Sequence, residues 1–372
     1  MDYYTVHGEI AKGYFGSSYR VREKHNKKRF RTMQMIKFSS EDKAKAALST
    51  IQSLFSVPKH DHICRYRDAF FHYQHGAHFA NAVLEVCIST NLNDYVLRRY
   101  NDLDDDCLKG FMLQLIDALS FLHQRKLFHN ALTPHNVLVG YDKKNELCLK
   151  LANFGLSTVY QNDHKSFTMY CPPELTPGTE PKVTGKHGDK CDIFSLGILF
   201  CAMLEFRTLD ADDQNDKVLA AYVQFPGYGL IPVGKFLREN PSVDLDRHLF
   251  SKTSTDVRHI VRQMLTAAAP HRPSAKSVRK HLVSCLGVRF GNHHESSTST
   301  AKRTVRSKSR KRGREVLGED FSCLNTPMKK PRARVPSSST QKPNGLIGYL
   351  GAMATAAGVY WGLKKENSSS VS

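Results

Sequence analysis

Residues 127–155, LFHNALTPHNVLVGYDKKNELCLKLANFG, constrain the fold of this chain more tightly than any other stretch. Two short runs rich in Val and Leu, residues 136–139 and 147–151, are separated by Gly140 and a polar segment over 141–146. Apolar runs of that length around a polar turn predict a β-hairpin. A polar loop, residues 129–135, enters the hairpin, and Asn153-Phe154-Gly155 leaves it. Just upstream, Phe111, Met112, Leu115, Ile116, Leu119 and Leu122 recur at helical spacing, which predicts a half-buried helix over 108–124. Earlier still the period is two. Residues 4–38 alternate apolar and polar positions around polar turns, as in an antiparallel meander. A helix is predicted over 41–55, and residues 66–74 and 77–86 read as two more strands. A sheet with one helix therefore precedes a mainly helical region, an α+β arrangement.

The motifs inside these segments resemble those of the protein kinase superfamily. His129-Asn130-Ala131-Leu132-Thr133-Pro134-His135-Asn136 resembles the H-R-D-L-K-P-x-N loop, and Asn153-Phe154-Gly155 resembles D-F-G. Residues 11–18, AKGYFGSS, resemble the Gly-rich loop, keeping Gly13 and Gly16 but carrying Ala11 and Ser18 for its first glycine and its valine. Met33-Gln34-Met35-Ile36-Lys37 resembles V-A-I-K, with Lys37 as the lysine. Leu84-Glu85-Val86-Cys87 resembles the hinge between lobes, where backbone groups of Glu85 and Cys87 would meet an adenine ring. Tyr170-Cys171-Pro172-Pro173-Glu174 resembles the A-P-E end of an activation segment. Asp192 opens a D-x-W-S-L-G-like helix start, and Arg272 sits in an R-P-S-like motif. The resemblance implies a bilobal protein-kinase-like fold over residues 1–288. Its β-rich N-lobe would run to about residue 86 and its larger helical C-lobe over 88–288. It also implies structural roles for Glu174 paired with Arg272, and for Asp192 tying down the loop backbone. Thr133-Pro134 in place of Lys-Pro leans the resemblance towards the Ser/Thr branch.

The same resemblance implies that the chemistry has been removed. The loop aspartate that serves as base is Ala131, and the lysine that steadies the γ-phosphate is Thr133. The D-F-G aspartate, the main Mg²⁺ ligand, is Asn153, so Asn136 and Asn153 remain as weak metal ligands only. No acid lies between Asp42 and Asp61, so the glutamate that should pair the strand lysine is missing near Thr50 or Ile51. Asn130 replaces the arginine that would read a phosphate on Ser157, Thr158, Ser166 or Thr168. The expectation is a pseudokinase that regulates or scaffolds a protein partner. Gly13, Gly16, Lys37, Glu85, Cys87 and Asn136 would hold any ATP weakly and without Mg²⁺. The alternatives are a residually active Ser/Thr kinase with a rearranged ATP site and a nuclear, nucleic-acid-associated protein.

Composition supplies the rest. The net charge of +19 is uneven: residues 301–342 hold 13 Lys and Arg against 3 acids, a net of +10. Low hydrophobicity with Ser, Thr and Pro predicts a disordered basic linker over 289–344. Its basic runs within 301–334 suit an import receptor or nucleic acid. Residues 345–363, GLIGYLGAMATAAGVYWGL, carry no charge and predict a transmembrane tail anchor, followed by a short polar segment over 364–372. The membrane would be the endoplasmic reticulum, nuclear envelope or mitochondrial outer membrane, with the nucleus as alternative. Nine cysteines without a C-x-x-C pair, and an N-terminus with no signal-peptide pattern, predict an intracellular protein. The 18 histidines lack ligand spacing and read as structural or surface residues.

Overall fold

A computed structural model of the chain describes residues 3–13, 16–25, 29–85, 90–142, 144, 146–155, 169–176, 188–210, 217–225 and 229–286. The readings made for Cys87, for the four activation-segment hydroxyls, for the basic linker and for residues 345–363 fall outside these residues. Among the described residues no helix is long and apolar enough to cross a membrane.

The N-terminal half is one antiparallel sheet. Strands β1 (Tyr4–Gly13), β2 (Gly16–Glu23), β3 (Phe30–Phe38), β4 (Tyr66–Gln74) and β5 (Ala77–Leu84) stand in the order β1-β2-β3-β5-β4. Around its central strand the sheet buries residues on both faces, so β3 reads as a strand with apolar residues at both parities. Met33 and Met35 face Val21 and Val83 in a small outer cluster. Thr32, Gln34, Ile36 and Phe38 point the other way, and Ile36 and Phe38 join the main core. Helix α1 (Glu41–Ser53) packs on that inner face through Ala47, Leu48 and Ile51. Ser40 caps it by accepting from the Lys43 amide, and Glu41 and Asp42 lie in its first turn, where the helix dipole favours acids.

The C-terminal half is mainly helical. A short strand, β6 (Thr90–Asn91), leads into α2 (Leu92–Arg99) and α3 (Asp105–Gln124). Asp104 starts α3 by accepting from the Cys107 amide at 2.8 Å, which places the helix start three residues before the apolar pattern does. The predicted hairpin forms as β7 (Val137–Tyr141) against β8 (Leu147–Leu151), with β6 on its outer edge. Helix α4 (Gly188–Glu205) is apolar on nearly every side and is buried at the centre of the lobe. Strands β9 (Thr208–Asp210), β10 (Lys217–Leu219), β11 (Tyr222–Phe225) and β12 (Gly229–Pro232) form two small ribbons. Helices α5 (Val233–Glu239), α6 (Asp246–Leu249), α7 (Thr255–Met264) and α8 (Ala275–Leu286) complete the lobe. The halves meet where β8 bonds the segment after α1: the Cys64 amide donates to the Leu151 carbonyl at 2.8 Å, and the Leu151 amide to His62 at 2.9 Å.

Glu205 anchors the end of α4. Its carboxylate accepts from the amides of Ser251, Lys252 and Thr253 and from the hydroxyls of Ser251 and Thr253, at 2.6 to 3.1 Å. Burial pushes this carboxyl up, but the bonds from Thr253 and Ser251 outweigh burial and hold it at about 2. A depressed carboxyl stabilises the folded state above its ordinary value and loses that contribution as pH falls. Stability attributable to Glu205 should therefore be complete above about pH 4.5 and decline towards pH 2. Acid titrations of thermal unfolding should show a drop in that window that Glu205→Gln lacks, with Glu205→Gln less stable than the parent at neutral pH.

Candidate functional site

Asp192, in the first turns of α4, organises the loop before the hairpin. Its carboxylate is 1% exposed and accepts from the His129 amide at 2.8 Å, the Asn130 amide at 2.6 Å and His123 Nε2 at 2.9 Å. Those bonds hold Asn130 in the left-handed region, at φ +56°, which asparagine tolerates better than most residues. His129 is fully buried, and burial pulls its imidazole below the ordinary range, so the ring is neutral. Its Nε2–H donates to the Ala152 carbonyl at 2.9 Å, joining the loop to the far end of the hairpin.

With the backbone fixed, three side chains face the hairpin mouth. The Ala131 methyl is 1% exposed and offers nothing to a proton. Its carbonyl can only accept, so Asn136 turns its Nδ2 towards it, at 2.7 Å. Asn136 Oδ1 is then left facing Asn153, which must present its own Nδ2, at 2.8 Å. A buried chain of amides results, running from Asn153 through Asn136 to the Ala131 backbone. Asn153 Oδ1, at its free end, is buried and among the described residues has no hydrogen-bond partner. Asn153 takes φ +65° and Gly155 φ +76°, so the backbone reverses sharply around Phe154. Phe154 is fully buried, packs 5.5 Å from the Tyr66 ring, and accepts from the Tyr66 hydroxyl through its carbonyl. Thr133 is buried as well.

The strand lysine is a correction. Lys37 has the parity of Met33 and Met35, so it lies on the face of β3 turned away from α1 and is exposed. Gln34 is buried on the inner face beside Thr32, opposite Ala82 in β5, and among the described residues its Oε1 has no hydrogen-bond partner. An odd-numbered slip moves a side chain across the sheet, and the motif reading was three residues out. The strand's own alternation held the signal, since Thr32, Gln34, Ile36 and Phe38 form one stripe. The inner face of α1 presents Ala44, Ala47, Leu48 and Ile51, and among the described residues no ion pair joins β3 to α1.

Two other nucleotide-contact expectations meet internal partners. Gly16 takes φ +103°, and a Cβ there would run into the Met35 carbonyl, so the β2–β3 register itself requires glycine. Gly13 pairs with Gly16 across the turn. At the hinge, the Glu85 amide donates to Arg65 at 3.0 Å, and its carbonyl accepts from the Arg31 guanidinium. The Glu85 carboxylate lies 3.2 Å from Arg65 and 4.0 Å from Lys150. Arg272 and Glu174 come together as a two-pronged pair, both bonds 2.7 Å, with Arg272 fully enclosed.

A five-stranded antiparallel lobe with one packed helix, joined to a helical lobe whose hairpin carries these loops, defines a protein kinase fold. The protein kinase domain matches residues 4–283, and the chain belongs to that family. It is 29% identical over 265 residues to Aurora kinase B of Danio rerio, covering 66% of this chain and 76% of the relative. It is 23% identical over 304 residues to cyclin-dependent kinase 20 of the same organism, covering 76% and 83%.

The amide chain gives a direct test. Asn153→Asp would set a carboxylate against Asn136 Oδ1, two acceptors with no proton between them. In EDTA the variant should lose about 1–3 kcal/mol in urea unfolding, and Mg²⁺ should restore part of it by bridging the oxygens. A variant as stable as the parent and indifferent to Mg²⁺ would show that the amide orientation is not locked.

Proposed function

We propose that this kinase-fold protein transfers no phosphate and acts by binding a protein partner, as scaffold or allosteric regulator. The observation that carries the reading is the Asn153–Asn136–Ala131 chain. Family membership implies ATP binding, ordinarily with Mg²⁺. A hard dication needs several oxygen ligands, preferably carboxylates. Here the two ligand positions are neutral amides, and one of their two oxygens is already accepting a hydrogen bond. Ala131 supplies no base, Gln34 brings no charge to the inner face of β3, and Arg31 occupies the Glu85 carbonyl. These features support a cleft that holds nucleotide weakly and without Mg²⁺. The residues that give the lobe its shape, Asp192, Glu174 and Arg272, are all engaged, so partner binding needs nothing the fold lacks.

The assay is phosphoryl transfer by the full chain to itself and to generic Ser/Thr substrates. The expected result is incorporation no higher than that of an Asn136→Ala, Asn153→Ala double variant. Turnover well above that level, lost in the double variant, would establish the rival reading of an active kinase with a rearranged site.

We also propose that residues 345–363 tether the protein to a membrane, since nineteen uncharged residues meet the length a helix needs to span the hydrocarbon. Arg placed at Ala354 should cost about 2.5–3.5 kcal/mol of insertion and move the protein from the carbonate-resistant pellet to the supernatant. A parent chain already in the supernatant would remove the tether.

A further inference from the structure

A second concave site lies between helices α3 and α8, apart from the amide chain and the hinge. It is a cavity of about 550 Å³, within the range of sites that hold ligands or side chains of a partner. Both walls are built at helical spacing. From α3 come Asp117, Ser120, Phe121 and Gln124, and from α8 come Lys276, Arg279, Lys280 and Val283. Each set follows i, i+3, i+4, i+7, so the cavity is a groove between two side-chain ridges, the shape into which a third helix packs.

Its charge is one-sided. Asp117 is the acidic residue in the lining, and it is already used: Arg279 Nε lies 2.5 Å from it and His60 Nε2 3.2 Å. Burial pushes the Asp117 carboxyl up, but the bonds from His60 and Arg279 outweigh burial, so it stays ionised and neutralises Arg279. Lys276 and Lys280 are exposed and, among the described residues, have no carboxylate partner. Arg125 adds a third cation at the edge, its guanidinium 3.6 Å from the centre of the Phe121 ring. Val283 and the part of the Phe121 ring left open by Arg125 and by His60, which also lines the groove with its ring 4.5 Å from that of Phe121, supply the apolar surface. The basic segment over 301–342, with its net of +10, is repelled from such a surface, which disfavours this chain's own linker as the occupant.

We infer that the α3–α8 groove docks an acidic amphipathic helix of a partner protein, with apolar side chains on Phe121 and Val283 and carboxylates against Lys276 and Lys280. This goes beyond the regulatory reading of the cleft and stands if that cleft proves active, because it uses none of the same residues.

The probe is a fluorescein-labelled peptide helix with leucine every third or fourth position and glutamate between, titrated with the full chain and read by anisotropy. A photoreactive phenylalanine at one leucine reports position. The expected result is binding that weakens about tenfold in Lys276→Glu, Lys280→Glu, with the parent's melting temperature kept because both side chains are exposed. Crosslinks should fall in 117–124 and 276–283. Equal binding by parent and variant would assign the peptide to the basic linker and overturn the proposal. So would no binding at millimolar peptide. Tighter, competing binding of a short RNA or of phosphatidylserine vesicles through the same two lysines would overturn the peptide as occupant.

Discussion

The Asp192 carboxylate is the constraint from which the rest of the site follows. It takes two consecutive backbone amides and an imidazole into one buried anion. Hydrogen bonds to a charged group are worth about 1.5–3 kcal/mol each, enough to hold Asn130 in a left-handed conformation. Once that turn is fixed, the direction of the Ala131 carbonyl is fixed, and with it the orientation of Asn136 and then Asn153. The amides are ordered by a residue more than thirty positions away in sequence, through backbone geometry alone.

This hierarchy explains how a kinase fold can keep its shape without its charges. An aspartate at 153 would need a cation between it and Asn136, whereas asparagine completes the chain with a proton it already carries. Gln34 on β3 is the counterpart on the other lobe, buried and uncharged. Neutral side chains avoid the cost of enclosing an unpaired ion. Among the described residues the buried charges, Arg272, Asp192, Glu205 and Lys150, all have partners.

Much of this was legible in the residues. The hairpin over β7 and β8, the strands β4 and β5, and the buried stripe of α3 follow from periodicity, because each has one dominant face or a polar turn at a fixed place. Ala131, Thr133 and Asn153 stood out because motif spacing around them is rigid. Lys37 was misplaced for a physical reason. With apolar residues on both faces of β3, Met33, Met35 and Ile36 fit the motif spacing that ends on Lys37, and only the polar stripe of Thr32 and Gln34 separates the two faces. The internal use of Glu85 by Arg31 and Arg65 was also out of reach, since it depends on which strands lie side by side. So was the α3–α8 groove, whose walls lie more than 150 residues apart.

The central claim is that the loop amides cannot hold a divalent metal, and Mn²⁺ reports that directly as a paramagnetic stand-in for Mg²⁺. Electron paramagnetic resonance of the full chain with a non-hydrolysable ATP analogue and Mn²⁺ should show no bound-metal signal beyond that of Mn²⁺ with the analogue alone. A protein-dependent Mn²⁺ signal that disappears in Asn153→Ala would contradict the account.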